Sequence, residues 1–258
     1  MTDFTGRILP LLWRRSIPAP DRKTGRPARL TIDDVVATGI RVADREGLDA
    51  ASMARVATEL AVGTMTLYGY VPSRPELIDL MVDEVLGSRD LLPPAPGDWR
   101  SRILRYAEST FTIYREHPWL ARTSQQRPPI GPGMLADREY VLAAISSLGL
   151  PTSMVNTAAL TIAAWIAGAA RNEAEGILLR RATGETNDDW WSQRGELWEK
   201  WFDVESHPAM TALWNAGGFT RGADEQARDA YELGLKLLLD GIEAASPAQQ
   251  TSGTDPRR

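Results

Sequence analysis

Apolar residues recur at steps of three and four from Thr31 to about Ala245, and nothing along the chain reads as a pair of alternating strands. That period puts apolar side chains in stripes on helices, so the fold expected is all-α. Ile32, Val35, Val36, Ile40 and Ala43 make one face of a first helix, which Thr31 and Asp34 open at capping-box spacing and Glu46-Gly47 closes. Ser52 is a good N-cap for a second helix carrying Met53, Val56, Ala57 and Leu60 on its apolar face. A tight turn at Ala61-Val62-Gly63 leads to a very short third helix, about Thr64 to Gly69. Ser73 and Glu76 repeat the capping-box spacing before a fourth, which tolerates Pro75 in its first turn and buries Leu77, Leu80, Met81 and Val85. Residues 87–97, rich in Pro and Gly, are the clearest break. Helical patterns resume at 98–116, 117–124, 132–149, 152–182, 189–204, 208–216 and 223–245. The expected organisation is a flexible arm at 1–28, a small helical domain at 29–86, a larger one at 98–245 and a disordered tail at 246–258.

Charge separates the ends of the chain. The net charge is -5, which argues against indiscriminate nucleic-acid binding. Residues 1–32, however, carry Arg7, Arg14, Arg15, Arg22, Lys23, Arg26 and Arg29 against Asp3 and Asp21, a net of +5, and leave -10 on the rest. A basic end on an acidic body is the asymmetry expected where one end meets phosphate; a solvated tail would look the same by charge alone. Absence of cysteine excludes disulfides and thiolate metal sites, and fits a reducing cytoplasm. No apolar run is read as a membrane span, and the proline-broken stretch Ile8 to Trp13 is not read as a signal peptide. The protein is therefore expected to be cytoplasmic, with no membrane partner.

Two short helices joined by a tight turn and held on a supporting helix make a helix-turn-helix, whose second helix fits a major groove about 12 Å wide. Val56, Ala57, Leu60, Val62 and Leu67 would hold the pair together. Thr64, Thr66, Tyr68 and Tyr70 would face the groove, able to reach phosphates, base edges or a thymine methyl.

The stretch Leu48 to Val85 resembles the DNA-binding domain of the TetR family. The matching pieces are Gly47-Leu48, Ser52-Met53, Arg55-Val56-Ala57, Leu67-Tyr68, Tyr70-Val71 and Ser73-Arg74-Pro75-Glu76-Leu77. The arm ending Thr24 to Leu30 is also similar to family members. So are His117-Pro118-Trp119-Leu120, Gly131-Pro132-Gly133 and the segment Leu233 to Gly241. The resemblance spans roughly 26–245 and is more specific in the first domain. It implies DNA contacts from Arg26, Arg29, Thr31, Arg55, Thr64, Thr66, Tyr68, Tyr70 and Arg74, the last standing where the family has lysine. Two positions depart from it. Ala61 replaces a customary glycine at a positive φ, which costs on the order of 1 kcal/mol. Gly69 replaces a larger residue at the end of a short helix.

In the body, the helix from Thr152 is crowded with Ala163, Ala164, Ala167 and Gly168, and the last helix carries leucines on more than one side. The resemblance implies that these two helices pair with their copies in a four-helix homodimer interface, giving two reading heads for an operator of two half-sites. Five of the nine tryptophans lie at 190, 191, 198, 201 and 214, amid acidic residues. Such rings fill cores or line pockets. The ligand-binding candidates are Tyr106, Thr110, Trp119, Tyr140, Trp165 and Asn172, from helices that enclose the family's ligand cavity, with Glu173 able to meet a cation. His117 and His207, each followed by proline, are not at metal-ligand spacing and are read as structural. No metal and no cofactor is expected. Family members that bind tetracycline hold a magnesium–drug complex with histidine, and this body has no obvious equivalent. The expected function is a repressor of double-stranded DNA operators, released by an unidentified small molecule and not an enzyme. The alternative is a helical small-molecule-binding protein or enzyme whose hairpin does not touch DNA.

Overall fold

The computed structural model describes residues 4–16, 30–91 and 98–247, and among these every regular element is helical. In order they are α1 (Phe4–Leu12), α2 (Ile32–Glu46), α3 (Met53–Glu59), α4 (Thr64–Tyr68), α5 (Arg74–Gly87), α6 (Trp99–Glu116), α7 (Pro132–Ser146), α8 (Thr152–Thr183), α9 (Asn187–Ser192), α10 (Glu196–Lys200), α11 (Pro208–Asn215) and α12 (Ala223–Ala244). Single 3₁₀ turns stand at Leu48–Ala50 and Pro118–Arg122.

Local chemistry sets the helix starts. The Thr31 hydroxyl accepts the Asp34 N–H at 3.1 Å while the Asp34 carboxylate accepts the Thr31 N–H at 2.8 Å, the reciprocal box expected. Ser52 accepts the Arg55 N–H at 3.2 Å. Ser73 behaves differently. Its hydroxyl donates to the buried Glu76 carboxylate and caps no backbone group, so the second box does not form.

The head is α2 to α5 around Val35, Val42, Val56, Leu67, Val71, Leu77 and Met81, all buried. Gly39 lets α2 settle on α5, because a Cβ there would lie 2.9 Å from Met81 Sδ. The head joins the body through several fixed contacts. A Cβ on Gly133 would lie 2.0 Å from the Asp83 carbonyl oxygen, so only glycine allows α7 to approach α5 this closely. The Asp83 carboxylate accepts the Met134 N–H at 2.9 Å. Trp119 is fully buried, and its Nε1–H donates to Asp44 Oδ1 at 2.7 Å; His117 Nδ1 meets the same oxygen at 2.8 Å. A second core, with Trp99, Ile103, Val141, Ile145, Ile162, Ile166, Leu235 and Leu239, lies between α6, α7, α8 and α12.

Four further sequence expectations change. Within the arm expected at 1–28, α1 is an ordered helix: Ile8 and Leu12 are buried in the head core. Arg14 donates to Asp33 at 2.5 Å and to Glu84 at 3.1 Å, Arg15 bridges the same two carboxylates, and the Trp13 indole donates to the Ile130 carbonyl at 2.9 Å. Part of the basic charge read as phosphate-facing is thus paired within the chain. The helix expected at 189–204 is two short ones, α9 and α10, parted at Arg194-Gly195. Ser246, the first residue of the expected tail, is buried and its hydroxyl donates to Leu148 O at 2.8 Å; residues 248–258 lie outside the described ones. Finally, α8 is long and apolar enough to cross a membrane by length and composition, where no membrane span is expected from the sequence, since its apolar residues are interspersed with Ser, Thr and Asn. Its stretch from Thr152 to Ala170 has no charge, and here it packs against α6, α7 and α12.

Candidate nucleic-acid interface and ligand cavity

The turn between α3 and α4 is closed by a hydrogen bond from the Val62 N–H to Ala57 O at 3.0 Å. Ala61 takes φ 54° there, the one positive φ among the described non-glycine residues. Val56, Ala57 and Leu67 are buried, and Leu60 and Val62 pack against the same core, as the pairing of two short helices requires. Leu67 fixes the rotation of α4. At about 100° per residue, Met65 lies opposite Leu67 while Thr66 and Tyr68 flank it. Met65 is accordingly 81% exposed, and Thr66 and Tyr68 are exposed. Thr64 and Tyr70, three residues either side of Leu67, turn toward its face; both are partly buried, and Tyr70 packs on the head core. The four groove residues expected at every second position therefore split into two pairs. Met65 was missed, although its position two residues before the anchor Leu67 signals it.

The basic candidates are largely engaged inside the head. Arg55 donates to both oxygens of Glu46 at 2.8 and 3.0 Å and pairs with Glu59 at 2.7 Å. Arg55 and then Arg45 hold the Glu46 carboxyl at about 2. Arg74 donates to Leu48 O at 2.7 Å and Ala51 O at 3.2 Å, tying the start of α5 to the turn before α3. Thr31 uses its hydroxyl in the α2 cap. Arg26 and Arg29 lie outside the described residues.

A cavity of about 750 Å³ lies in the valley between α6, α8 and α12. Each wall is one helical stripe: Leu104, Ala107, Glu108 and Phe111 on α6; Ala169, Asn172, Glu173 and Gly176 on α8; Arg228, Tyr231, Glu232 and Leu235 on α12. Ala107, Leu235 and Leu239 are buried at its floor. Phe111 and Tyr231 meet edge to face, centroids 4.9 Å apart, across α6 and α12. Burial pushes the Tyr231 phenol up to about 12, so it stays protonated and able to donate. Arg115 and Glu173 form an ion pair at 2.6 Å that spans α6 and α8.

Of the expected ligand residues, Asn172 lines this cavity, as does Glu173. The others lie elsewhere, each for a packing reason. Tyr106 and Thr110 are on the opposite side of α6, around Arg89. Tyr140 stacks on Tyr106, centroids 6.4 Å apart, with its hydroxyl buried and without a hydrogen-bond partner among the described residues. Trp119 anchors the head. Trp165 lies over Gly234, where a Cβ would come within 2.0 Å of the ring, and its Nε1–H donates to Tyr231 O at 3.2 Å. Trp190, Trp191, Trp198 and Trp214 form a chain of ring contacts, Trp191 and Trp214 both meeting the partly buried Trp198, while Trp201 is 77% exposed outside that chain. His207 accepts a structural place, its Nδ1 2.7 Å from Asp203 O. Among the described residues no cluster of His, Asp and Glu is placed to hold a metal ion.

Comparison with known proteins agrees with this geometry. The family described as tetracyclin repressor-like, C-terminal domain, matches residues 92–246. The chain is 38% identical over 240 residues to the HTH-type transcriptional repressor DrrR1 of Streptomyces coeruleorubidus, covering 92% of this chain and 85% of that one. ActR of Streptomyces coelicolor, a TetR family protein solved in complex with actinorhodin, superposes with a TM-score of 0.70 at 29% identity, over 85% of this chain and 98% of its own. BioQ with its double-stranded DNA operator shares the fold at a TM-score of 0.57 and 20% identity, over 84% of this chain and 99% of its own.

Proposed function

The chain belongs to the TetR family of transcriptional regulators, and from that premise we propose that it is a dimeric repressor, released from a palindromic operator when a small molecule fills the α6–α8–α12 valley. The family regulates by binding DNA and is not one of enzymes, so the enzyme alternative is set aside. The observation that carries the proposal is the reading helix: Met65, Thr66 and Tyr68 stand out on a five-residue helix whose Leu67 is wholly buried. Met65 would pack on a thymine methyl, and Thr66 and Tyr68 would donate to base edges or phosphate. Arg55 and Arg74 would act by holding the reading helix rather than by reaching phosphate, and Arg26 and Arg29 would supply phosphate contacts. A repressor of this kind would work in the cytoplasm, where its DNA operators lie.

Dimerisation is supported by the outer faces of α8 and α12. Leu160, Ala164 and Gly168 are exposed on α8, and Leu233 and Leu237 are 59% and 60% exposed on α12, opposite the cavity. Small residues allow close helix approach, and two such faces would make a four-helix interface. For the effector, the Phe111–Tyr231 pair and the charged rim favour a planar aromatic compound carrying polar groups. ActR in complex with actinorhodin makes that compound the first probe.

Selecting duplexes from a random pool tests the proposal. A palindrome bound by a dimer is expected; no enriched duplex would overturn the DNA-binding reading. Titrating the selected complex with actinorhodin and other aromatic acids and amines then tests release. If a compound binds the cavity and leaves operator affinity unchanged, ligand control is wrong.

A further inference from the structure

The loop that leaves α5 carries a buried arginine whose partners belong to two other helices. Arg89 is two residues past the end of α5, and its side chain is 1% exposed. Its guanidinium donates to Thr110 Oγ1 at 2.7 Å, Tyr106 O at 3.0 Å and Ser109 Oγ at 3.0 Å, all on α6. On the other side it pairs with Asp137 of α7. The Tyr106 ring lies 4.6 Å beneath the guanidinium carbon, and its hydroxyl donates to Asp137 Oδ2 at 3.3 Å. A guanidinium with its donors committed and no access to water cannot let go of one partner without leaving a buried charge unpaired.

The same turn of α6 has a second face. Leu104, Ala107, Glu108 and Phe111 line the cavity, while Tyr106, Ser109 and Thr110 hold Arg89. About 100° per residue separates the two sets, so one rigid helix stands between the cavity and the arginine. α7 is fixed to α5 by the Gly87–Gly133 approach and the Asp83–Met134 hydrogen bond. A shift of α6 against α7 therefore falls on Arg89, which is bonded to both. We propose that Arg89 is the positioning residue through which occupancy of the α6–α8–α12 cavity reaches α5 and the reading head. Asp137 is its counter-charge, and the aromatic face of Tyr106 is its seat. This rests on the regulator reading above, and it assigns the residue that couples the two halves.

The test needs no identified effector. Ala169→Phe on α8 fills the cavity from the side away from Arg89, with Ala107→Phe as a second filling variant. Each is made in the wild-type chain and in an Arg89→Met/Asp137→Leu background, which keeps the volume but removes the ion pair. Affinity is measured for the duplex selected by the wild-type protein, with thermal melts checking that every variant is folded. Cavity filling is expected to weaken binding by about tenfold in the wild type and by under about twofold without the ion pair. A merely structural role for Arg89 would lower the stability or affinity of the Arg89→Met/Asp137→Leu background itself and leave the filling effect intact there. Equal filling effects in the two backgrounds, or none in the wild type, overturn the proposal. If the double variant does not fold, Arg89→Lys serves, since it keeps the charge beside Asp137 but loses the fork that reaches Ser109 and Thr110; an undiminished filling effect there also overturns it. A wild-type chain that selects no duplex instead sinks the regulator reading, and the coupling role with it.

Discussion

Ala61 holds a φ of 54° in the turn on which the reading helix is hung. An L-residue in this region is strained, and glycine is not, although glycine gives back part of the gain through its more flexible unfolded chain. Ala61→Gly should therefore stabilise the protein by a net of under about 1 kcal/mol, read as a higher denaturation midpoint with an unchanged slope. Asp79 presents the opposite case, a group the fold would prefer neutral. Burial, then the neighbouring Glu76, raises its carboxyl from 3.8 to about 6. A raised folded value means that its contribution to stability is complete below about pH 4 and is lost as pH rises through about 6. Asp79→Asn should stabilise the chain at pH 7 by about 1 kcal/mol, allowing for screening of a half-buried group. The advantage should shrink as pH falls through 6 in denaturation curves of both forms; a constant advantage would show that titration is not its source.

At the scale of the element, the proposed DNA-binding role separates residues that would read from residues that hold. Thr66 is exposed on α4, whereas Arg74 is spent on the carbonyls of Leu48 and Ala51. Thr66→Ala should weaken binding to the selected duplex by about 1–3 kcal/mol with little change in melting temperature if it touches a base. Arg74→Ala should lower the melting temperature and leave the salt dependence of binding unchanged; a drop of about one in the salt slope would show a phosphate contact instead. The helices themselves were legible, because capping residues and apolar steps are local: Thr31, Asp34 and Ser52 start helices where they were expected. The face of α4 was less so. Thr64, Thr66, Tyr68 and Tyr70 share a side only in a strand, and it is burial of Leu67 that sets which of them look outward. α1 was missed because its apolar residues, broken by Pro10, gain a partner only when α2 and α5 come alongside.

At the scale of the whole molecule, the outer faces of α8 and α12 have no partner among the described residues. Leu233→Glu with Leu237→Glu should give monomers by light scattering, retain the melting behaviour of the separate subunit and lose operator affinity by more than about tenfold, since a half-site alone binds weakly. Dimers that persist would move the interface elsewhere. Sequence alone determined the all-helical class, the run of helices from α2 to α8 and the short helix that follows a tight turn, since each follows from side-chain period and from capping within a few residues. The tertiary structure decided which side of each helix does the work. Tyr106 and Thr110 hold Arg89 instead of lining the α6–α8–α12 cavity, Trp119 anchors the head, and Trp165 covers Gly234. The reason is physical. A helix has apolar and polar residues on several faces, and only the neighbours that arrive from distant parts of the chain determine whether a face closes on a core, a joint or a cavity.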